Sequence, residues 1–319
     1  MEKEKLGDFT FLGNHFHQEP DGSVFIDQVD YIQGIKANYI PAARRRTPTA
    51  KATDEERTKF KSLTQQLAWP ARSTMPELCF SVSDLQQRAE ELDVAGMVKA
   101  NTTLRLAKQR VEAGHGIFYP AGPADWSPKD LCVLGVHDAS FAQQPGGASQ
   151  QGYMVFVTHK NTVSARSGPV WAVDWGSHKI HRVIRSTLAA EAASASHTYD
   201  KLTYIRTIMA EIFYGWNSDW DKLSRRVDAA MVTDCKSLKD LTDKVGSLPS
   251  EKRIALDIAD VRQGIEAGDR LLWTSTDKMA ADSLTKLMSE DMFLTRVLRK
   301  GYYDFTPTPK KPRKSEDAK

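Results

Sequence analysis

The sequence predicts an α/β fold built on a mixed sheet with flanking helices, and two observations carry that prediction. Three alternating apolar runs, LCVLGVHDAS, GYMVFVTHK and GPVWAVDWG, follow one another at short spacing, as the strands of an antiparallel meander do. After Ser186 the apolar period becomes helical. Two further short runs, AAMVTD and RLLWTS, are then separated by helical patterns. A meander followed by helix-linked strands implies a mixed sheet with helices packed against it.

The elements can be justified in order. Residues 1–40 hold short strand-like pieces, with Asp21-Gly22 a hairpin turn between FHQEP and SVFI. PAARRRTPTAKATDEE has no apolar periodicity and reads as a linker; a solvated role for its Arg44-Arg45-Arg46 run outweighs a nucleic-acid one. From Asp54 to about Ala113 the pattern is helical, with Leu63, Leu67, Leu78, Leu85, Met97 and Leu104 as packing positions. HGIFYPAGPADWSP is a break. The meander follows, with Gly146-Gly147 in its first turn and Ser167-Gly168 near its second. A long helix starts at Ser186 and carries Leu188, Ala192, Ala195, Tyr199, Leu202, Ile205, Met209 and Ile212 at steps of three and four; Gly215 stops it. Helices are expected over SLKDLTDKV, from Ser250 to Ile265, and from a Thr276 cap through Met288. The end, Pro- and Lys-rich from Thr306, is expected to be disordered.

The chain has 319 residues, 40% hydrophobic and 27% charged, which suits a globular protein of one large or two smaller domains. A net charge of +3 gives no overall field toward nucleic acid, so local patches must carry any such interaction. Cys79, Cys132 and Cys235 show no CxxC spacing and leave one unpaired, which points to a reducing compartment. No signal peptide and no apolar run of membrane-spanning length is visible. The expectation is an intracellular, soluble protein without a membrane partner, cytoplasm and nucleus both remaining open.

Four acids stand out: Asp138, Glu191, Asp234 and Asp282. Side chains alternate along a strand, so Asp138 continues the face of Cys132, Leu134 and Val136, and Asp234 continues that of Ala230 and Val232. Strand-end acids on apolar faces suit a cleft at the carboxyl ends of neighbouring strands. Glu191 lies about one turn into its helix, and Asp282 on the last one. Taken singly, each acid is more often a turn residue, a cap or a dipole partner. For Asp282, an ion pair with Lys286 four residues on is the simple alternative. Gathered together, the four would repel, and divalent Mg²⁺ with its preference for oxygen ligands would resolve that. Two such ions about 3.5–4 Å apart form a clamp used in phosphodiester cleavage.

From about Phe11 to Met288 the chain resembles the C-terminal end of copia-type retrotransposon polyproteins. FLGNHFHQEPDGSVFIDQVDYIQGI resembles the end of the reverse transcriptase region, and FKSLTQQLAWPARSTMPELCFSVSDLQ the helical connection after it. VLGVHDASFA, WGSHKIHRVIRSTLAAEA, VTDCKSLKDL and WTSTDKMAADSLTKLM resemble the ribonuclease H domain, in order. The ending Ala281-Asp282…Thr285-Lys286 is the most specific piece, and the pieces in sequence order are strong together.

The resemblance implies a ribonuclease H-like mixed five-stranded sheet with flanking helices. A small, mostly helical remnant of the reverse transcriptase thumb/connection region would precede it. It divides the chain into residues 1–48 (end of the reverse transcriptase-like region and linker), 49–125 (connection), 126–290 (ribonuclease H) and 291–319 (basic tail). It places Asp138 on the first, central strand and Asp234 at the end of the parallel strand beside it. It implies cleavage of the RNA strand of an RNA–DNA hybrid with two Mg²⁺ ions, Mn²⁺ being an alternative. Asp138, Glu191, Asp234 and Asp282 match the four metal-binding acids. The reverse transcriptase portion of a parent polyprotein is a further expected partner. Departures fall beside the acids: Ala189 stands for the first Glu of the STEAEY motif, Ala192 for its aromatic, and Ser140 for a second acid. Arg253 and Ala259 replace two histidines. No polymerase palm, protease or integrase region is expected in the chain. Lys179, His181, Arg182 and Arg185, crowded before the Glu191 helix, are the candidate contacts to the hybrid's backbone, with an ordinary exposed basic loop as an equal alternative. An inert nucleic-acid-binding or scaffold remnant is the rival reading of the whole.

Overall fold

The computed structural model describes residues 7–123, 126–244, 249–287, 289 and 292–309. Strands β1 (Asp8–Phe11), β2 (Asn14–Gln18) and β3 (Val24–Asp27) pair antiparallel in succession. Their second turn is the expected Asp21-Gly22 one: Gly22 takes φ +88°, and the Asp21 carboxylate accepts from the Ser23 amide at 2.8 Å. Two short helices, α1 (Val29–Gly34) and α2 (Ala42–Arg45), lead to α3 (Asp54–Ser73), α4 (Cys79–Gln87) and α5 (Val94–Glu112). Thr53 and Glu56 start α3 with a reciprocal capping box.

Two stretches differ from the sequence reading. The linker is tied down, because Arg44 donates to both Glu56 oxygens at 3.0 and 2.6 Å and an isolated antiparallel backbone bridge joins Lys51 to Asp93. The break at HGIFYPAGP contains a strand, β4 (Ile117–Tyr119), which completes the first sheet beside β3. Its Ile117 is buried, and the Tyr119 hydroxyl donates to the Ala172 carbonyl at 3.0 Å. Tertiary partners thus hold both stretches where local propensity is silent.

The second sheet is made of β5 (Leu131–Gln144), β6 (Ala148–His159), β7 (Ser167–Lys179), β8 (Asp228–Thr233), β9 (Arg270–Trp273) and β10 (Tyr302–Asp304). Its order is β10-β7-β6-β5-β8-β9. β5, β6 and β7 form the antiparallel meander, while β8 runs parallel to β5 and β9 parallel to β8. This is the mixed, ribonuclease H-like sheet the sequence implies, with β5 central and β8 beside it. Between the strands lie α6 (Lys160–Ala165), α7 (Thr187–Tyr214), α8 (Trp220–Ser224), α9 (Lys236–Asp243) and α10 (Lys252–Glu266). Val133 packs with Leu202 and Met209 of α7 on one face of β5. Leu134 and Val136, on the other face, share one core with Leu63, Leu78 and Leu104 of the N-terminal helices. Each such fully buried side chain contributes roughly 1.5–3 kcal/mol.

The expected count of five strands becomes six, and within the expected tail a helix and a strand lie between residues 293 and 304. α11 (Phe293–Lys300) precedes β10, which pairs antiparallel with β7. Tyr303 and Phe305 are wholly buried, and Tyr303 packs against Phe156 with ring centres 5.8 Å apart. These aromatics anchor a segment whose neighbours read as a tail. Lys310, Lys311, Arg313 and Lys314 lie outside the described residues. The expected helix after Thr276 is instead two 3₁₀ turns, Thr276–Lys278 and Ala280–Leu284, and Met288 lies outside the described residues. Ala280, Ala281 and Leu284 are fully buried, so packing against the sheet sets this segment's path. Among the described residues no helix is long and apolar enough to cross a membrane.

Candidate metal centre

Alternation along β5 puts Asp138 on the Leu134–Val136 face, opposite Gly152 of β6. β8 ends at Thr233, and Asp234 leaves it next to β5. Ser186 caps α7 by accepting the Ala189 amide at 3.1 Å, and Glu191 follows in the next turn. One turn further, Ser194 donates to the Asp138 carbonyl at 2.9 Å, pinning helix to strand. A carboxylate oxygen from each of Asp138, Glu191 and Asp234 lies within 4.8 Å of the other two.

Such crowding has an electrostatic cost. Burial, with the charges of Asp138 and Asp234 adding to it, pushes Glu191 up to about 9. Burial also pushes Asp138 up to about 6; the Thr285 hydroxyl, which donates to its Oδ2, opposes this, and Asp234 and Asp282 reinforce it. Asp234 is raised by burial against the Thr276 hydroxyl, which donates to Oδ2 at 2.7 Å. Glu191 Oε2 is buried with no hydrogen-bond partner among the described residues. His137 Nδ1 stands 3.6 Å from it, on a ring that burial pushes down to about 3 and so keeps neutral.

A buried, unpaired carboxylate oxygen among three mutually repelling carboxylates suits a hard divalent cation, whose charge reverses the local balance. Asp138, Glu191 and Asp234 can hold such an ion. Asp282 stands outside this group. It forms the i,i+4 ion pair with Lys286, the alternative its spacing leaves open, although its charge still bears on Asp138 and Asp234. Thr276, Thr285 and His137 also belong to the site, although the sequence marks Thr276 only as a helix cap and gives neither Thr285 nor His137 a part in it. Thr285 lies inside the ADxxTK ending, and that motif position is the signal for it. His137 has none beyond standing next to Asp138.

The four basic candidates divide. Lys179 and His181 line a cleft of about 340 Å³ between β7 and the α3–α4 helices, with Arg72 and Gln87 across it. Arg182 is bound to Asp257 of α10 in an ion pair. Arg185 is exposed.

No protein-family model matches the chain. Among curated proteins it is similar to the retrovirus-related Pol polyprotein from transposon RE1 of Arabidopsis thaliana. The two are 25% identical over 307 residues, covering 89% of this chain and 18% of that protein. The resemblance to a copia-type Pol polyprotein therefore extends through most of the chain, and the chain spans 18% of that relative's length. Among solved structures, ribonuclease H1 from the halophilic archaeon Halobacterium salinarum NRC-1 matches 48% of this chain and 93% of its own at 14% identity, with a TM-score of 0.31. The foamy viral protease-reverse transcriptase in complex with RNA/DNA hybrid matches 98% of this chain and 32% of its own at 10% identity, with a TM-score of 0.39.

Proposed function

We propose that this chain is a metal-dependent nuclease of the ribonuclease H type, cleaving the RNA strand of an RNA–DNA hybrid. The observation that carries the reading is the convergence of Asp138, Glu191 and Asp234 within 4.8 Å, where the end of β8 meets the middle of β5 and the first turns of α7. The similarity to a transposon Pol polyprotein supports the hybrid as substrate. Mg²⁺ is the expected ion, two of them in the full reading. Bound there, it would supply charge to the scissile phosphate and a lowered pKa to an attacking water.

The chain's own residues do the rest. Thr285 and Thr276 each donate a hydroxyl to one carboxylate, which fixes where its oxygens face. Ser194 holds the α7–β5 spacing that brings Glu191 to Asp138. Lys286, paired with Asp282, sets a positive charge at the rim near Asp138 and Asp234. Lys179, His181 and Arg185 would meet the phosphate backbone, with Arg182 available once it leaves Asp257.

The position of Asp282 favours one rival. With that carboxylate on Lys286, the chain would bind a hybrid without cutting it. The deciding assay mixes purified protein, a hybrid labelled on the RNA, and Mg²⁺. The expected result is RNA fragments, lost in Asp138→Asn. Tight hybrid binding without fragments would establish the inert binder, and neither binding nor fragments a scaffold.

A further inference from the structure

His137 precedes Asp138 in β5 and by alternation lies on the opposite face, the one that α7 covers. Its side chain is fully buried, and among the described residues neither ring nitrogen has a hydrogen-bond partner. Burying an unpaired imidazole is unfavourable, and an apolar residue would serve a purely packing role better. Glu191 Oε2, 3.6 Å from Nδ1, is buried and unpaired as well. That separation is too long for a hydrogen bond, yet a small turn of the Glu191 carboxylate brings the two atoms within reach. Two polar orphans thus face each other beside the carboxylate cluster, 3.6 Å apart and just beyond hydrogen-bond range.

We propose that His137 is a positioning residue for Glu191: a hydrogen bond between Nδ1 and Oε2 fixes the carboxylate's orientation toward Asp138 and Asp234. The inference rests on the metal reading above and adds an outer partner to one ligand. Such partners typically contribute tenfold to a hundredfold in metal affinity. The neutral ring has one N–H to give, and an ionised Glu191 accepts it at Oε2. The contact then holds the ionised, metal-bound carboxylate in one rotamer.

Mn²⁺ titration of the full chain, followed by the electron paramagnetic resonance of the free ion, tests this. His137→Asn places an amide nitrogen near the Nδ1 position, His137→Gln near the Nε2 position, and His137→Leu removes both. Leu and Gln are expected to weaken Mn²⁺ binding about tenfold, and Asn to stay near the unsubstituted chain, circular dichroism reporting the fold of each. In a Glu191→Gln background the Leu substitution should have no further effect. Unchanged affinity in a folded His137→Leu overturns the proposal, as does an undiminished loss in the Glu191→Gln background. Should His137→Leu fail to fold, equal affinities for Asn and Gln overturn it. No Mn²⁺ binding by the unsubstituted chain overturns the metal reading and this inference together. Binding that is indifferent to His137 overturns this inference alone.

Discussion

Gly152 lies across the β5–β6 ladder from Asp138, and a Cβ built on it would stand 2.6 Å from the Cβ of Leu284. The 3₁₀ turn Ala280–Leu284 rests on bare backbone there, and Ser177 secures it by donating to the Leu284 carbonyl at 2.5 Å. The next residue, Thr285, is the one that reaches Asp138. The sheet and the ADxxTK segment therefore share one contact that fixes how far Asp282 and Thr285 stand from the carboxylates.

Gly152→Ala should lift that segment. Overpacking of this kind costs about 1–3 kcal/mol, read as a lower urea midpoint with an unchanged slope. Mn²⁺ affinity should fall with it, because Thr285 no longer holds Asp138. An unchanged midpoint would mean that the segment yields without resistance.

Glu191 sits at about 9 against an ordinary 4.5, so the folded, metal-free chain keeps a proton that the unfolded chain gives up. The sign follows from that. The contribution is complete below about 4.5 and disappears as pH rises through about 9. Glu191→Gln has similar shape and does not titrate. In chelator, its Tm minus that of the unsubstituted chain should increase steadily from pH 5 to pH 9, and Asp138, at about 6, supplies a similar trend to both proteins. A difference that stays flat with pH would show that Glu191 is not desolvated as described.

Much of this was legible in the sequence because period and spacing are local. The β5–β6–β7 alternation, the helix start at Ser186 and the stop at Gly215 each follow from a few neighbouring residues. Asp138 and Asp234 announce themselves by ending apolar runs. What could not be read depends on distant partners. β10 is three residues long and exists because β7 offers an edge to it and Tyr303 finds Phe156. The Thr276–Leu284 segment has helical propensity, but Gly152 and Ser177 bend it to the sheet. For Asp282 the sequence supports two partners, Lys286 and a metal ion, and spacing alone cannot rank them.

The two rim and cluster acids should separate in a metal titration. Asp234 belongs to the three-carboxylate group, and Asp234→Asn should weaken Mn²⁺ binding roughly tenfold or more. Asp282→Asn removes a charge that is already neutralised by Lys286 and frees that ammonium to face Asp138 and Asp234. Its loss should be clearly smaller. Equal losses, measured side by side, would place Asp282 among the ligands despite its ion pair.

The basic residues before α7 should also separate, this time by salt. Binding of a duplex loses about 0.9 in the slope of log K against log salt for each phosphate contact removed. Arg185 is exposed, so Arg185→Ala should flatten the slope by about that much for a hybrid. Arg182 must first give up Asp257, and each contact it makes to phosphate is offset by the carboxylate it leaves. Arg182→Ala should therefore flatten the slope less. Asp257→Asn should do the reverse, releasing Arg182 and steepening it. If hybrid affinity and slope are the same for all three variants at several salt concentrations, the backbone does not run over this segment, and the exposed loop before α7 is no more than the lead-in to a helix.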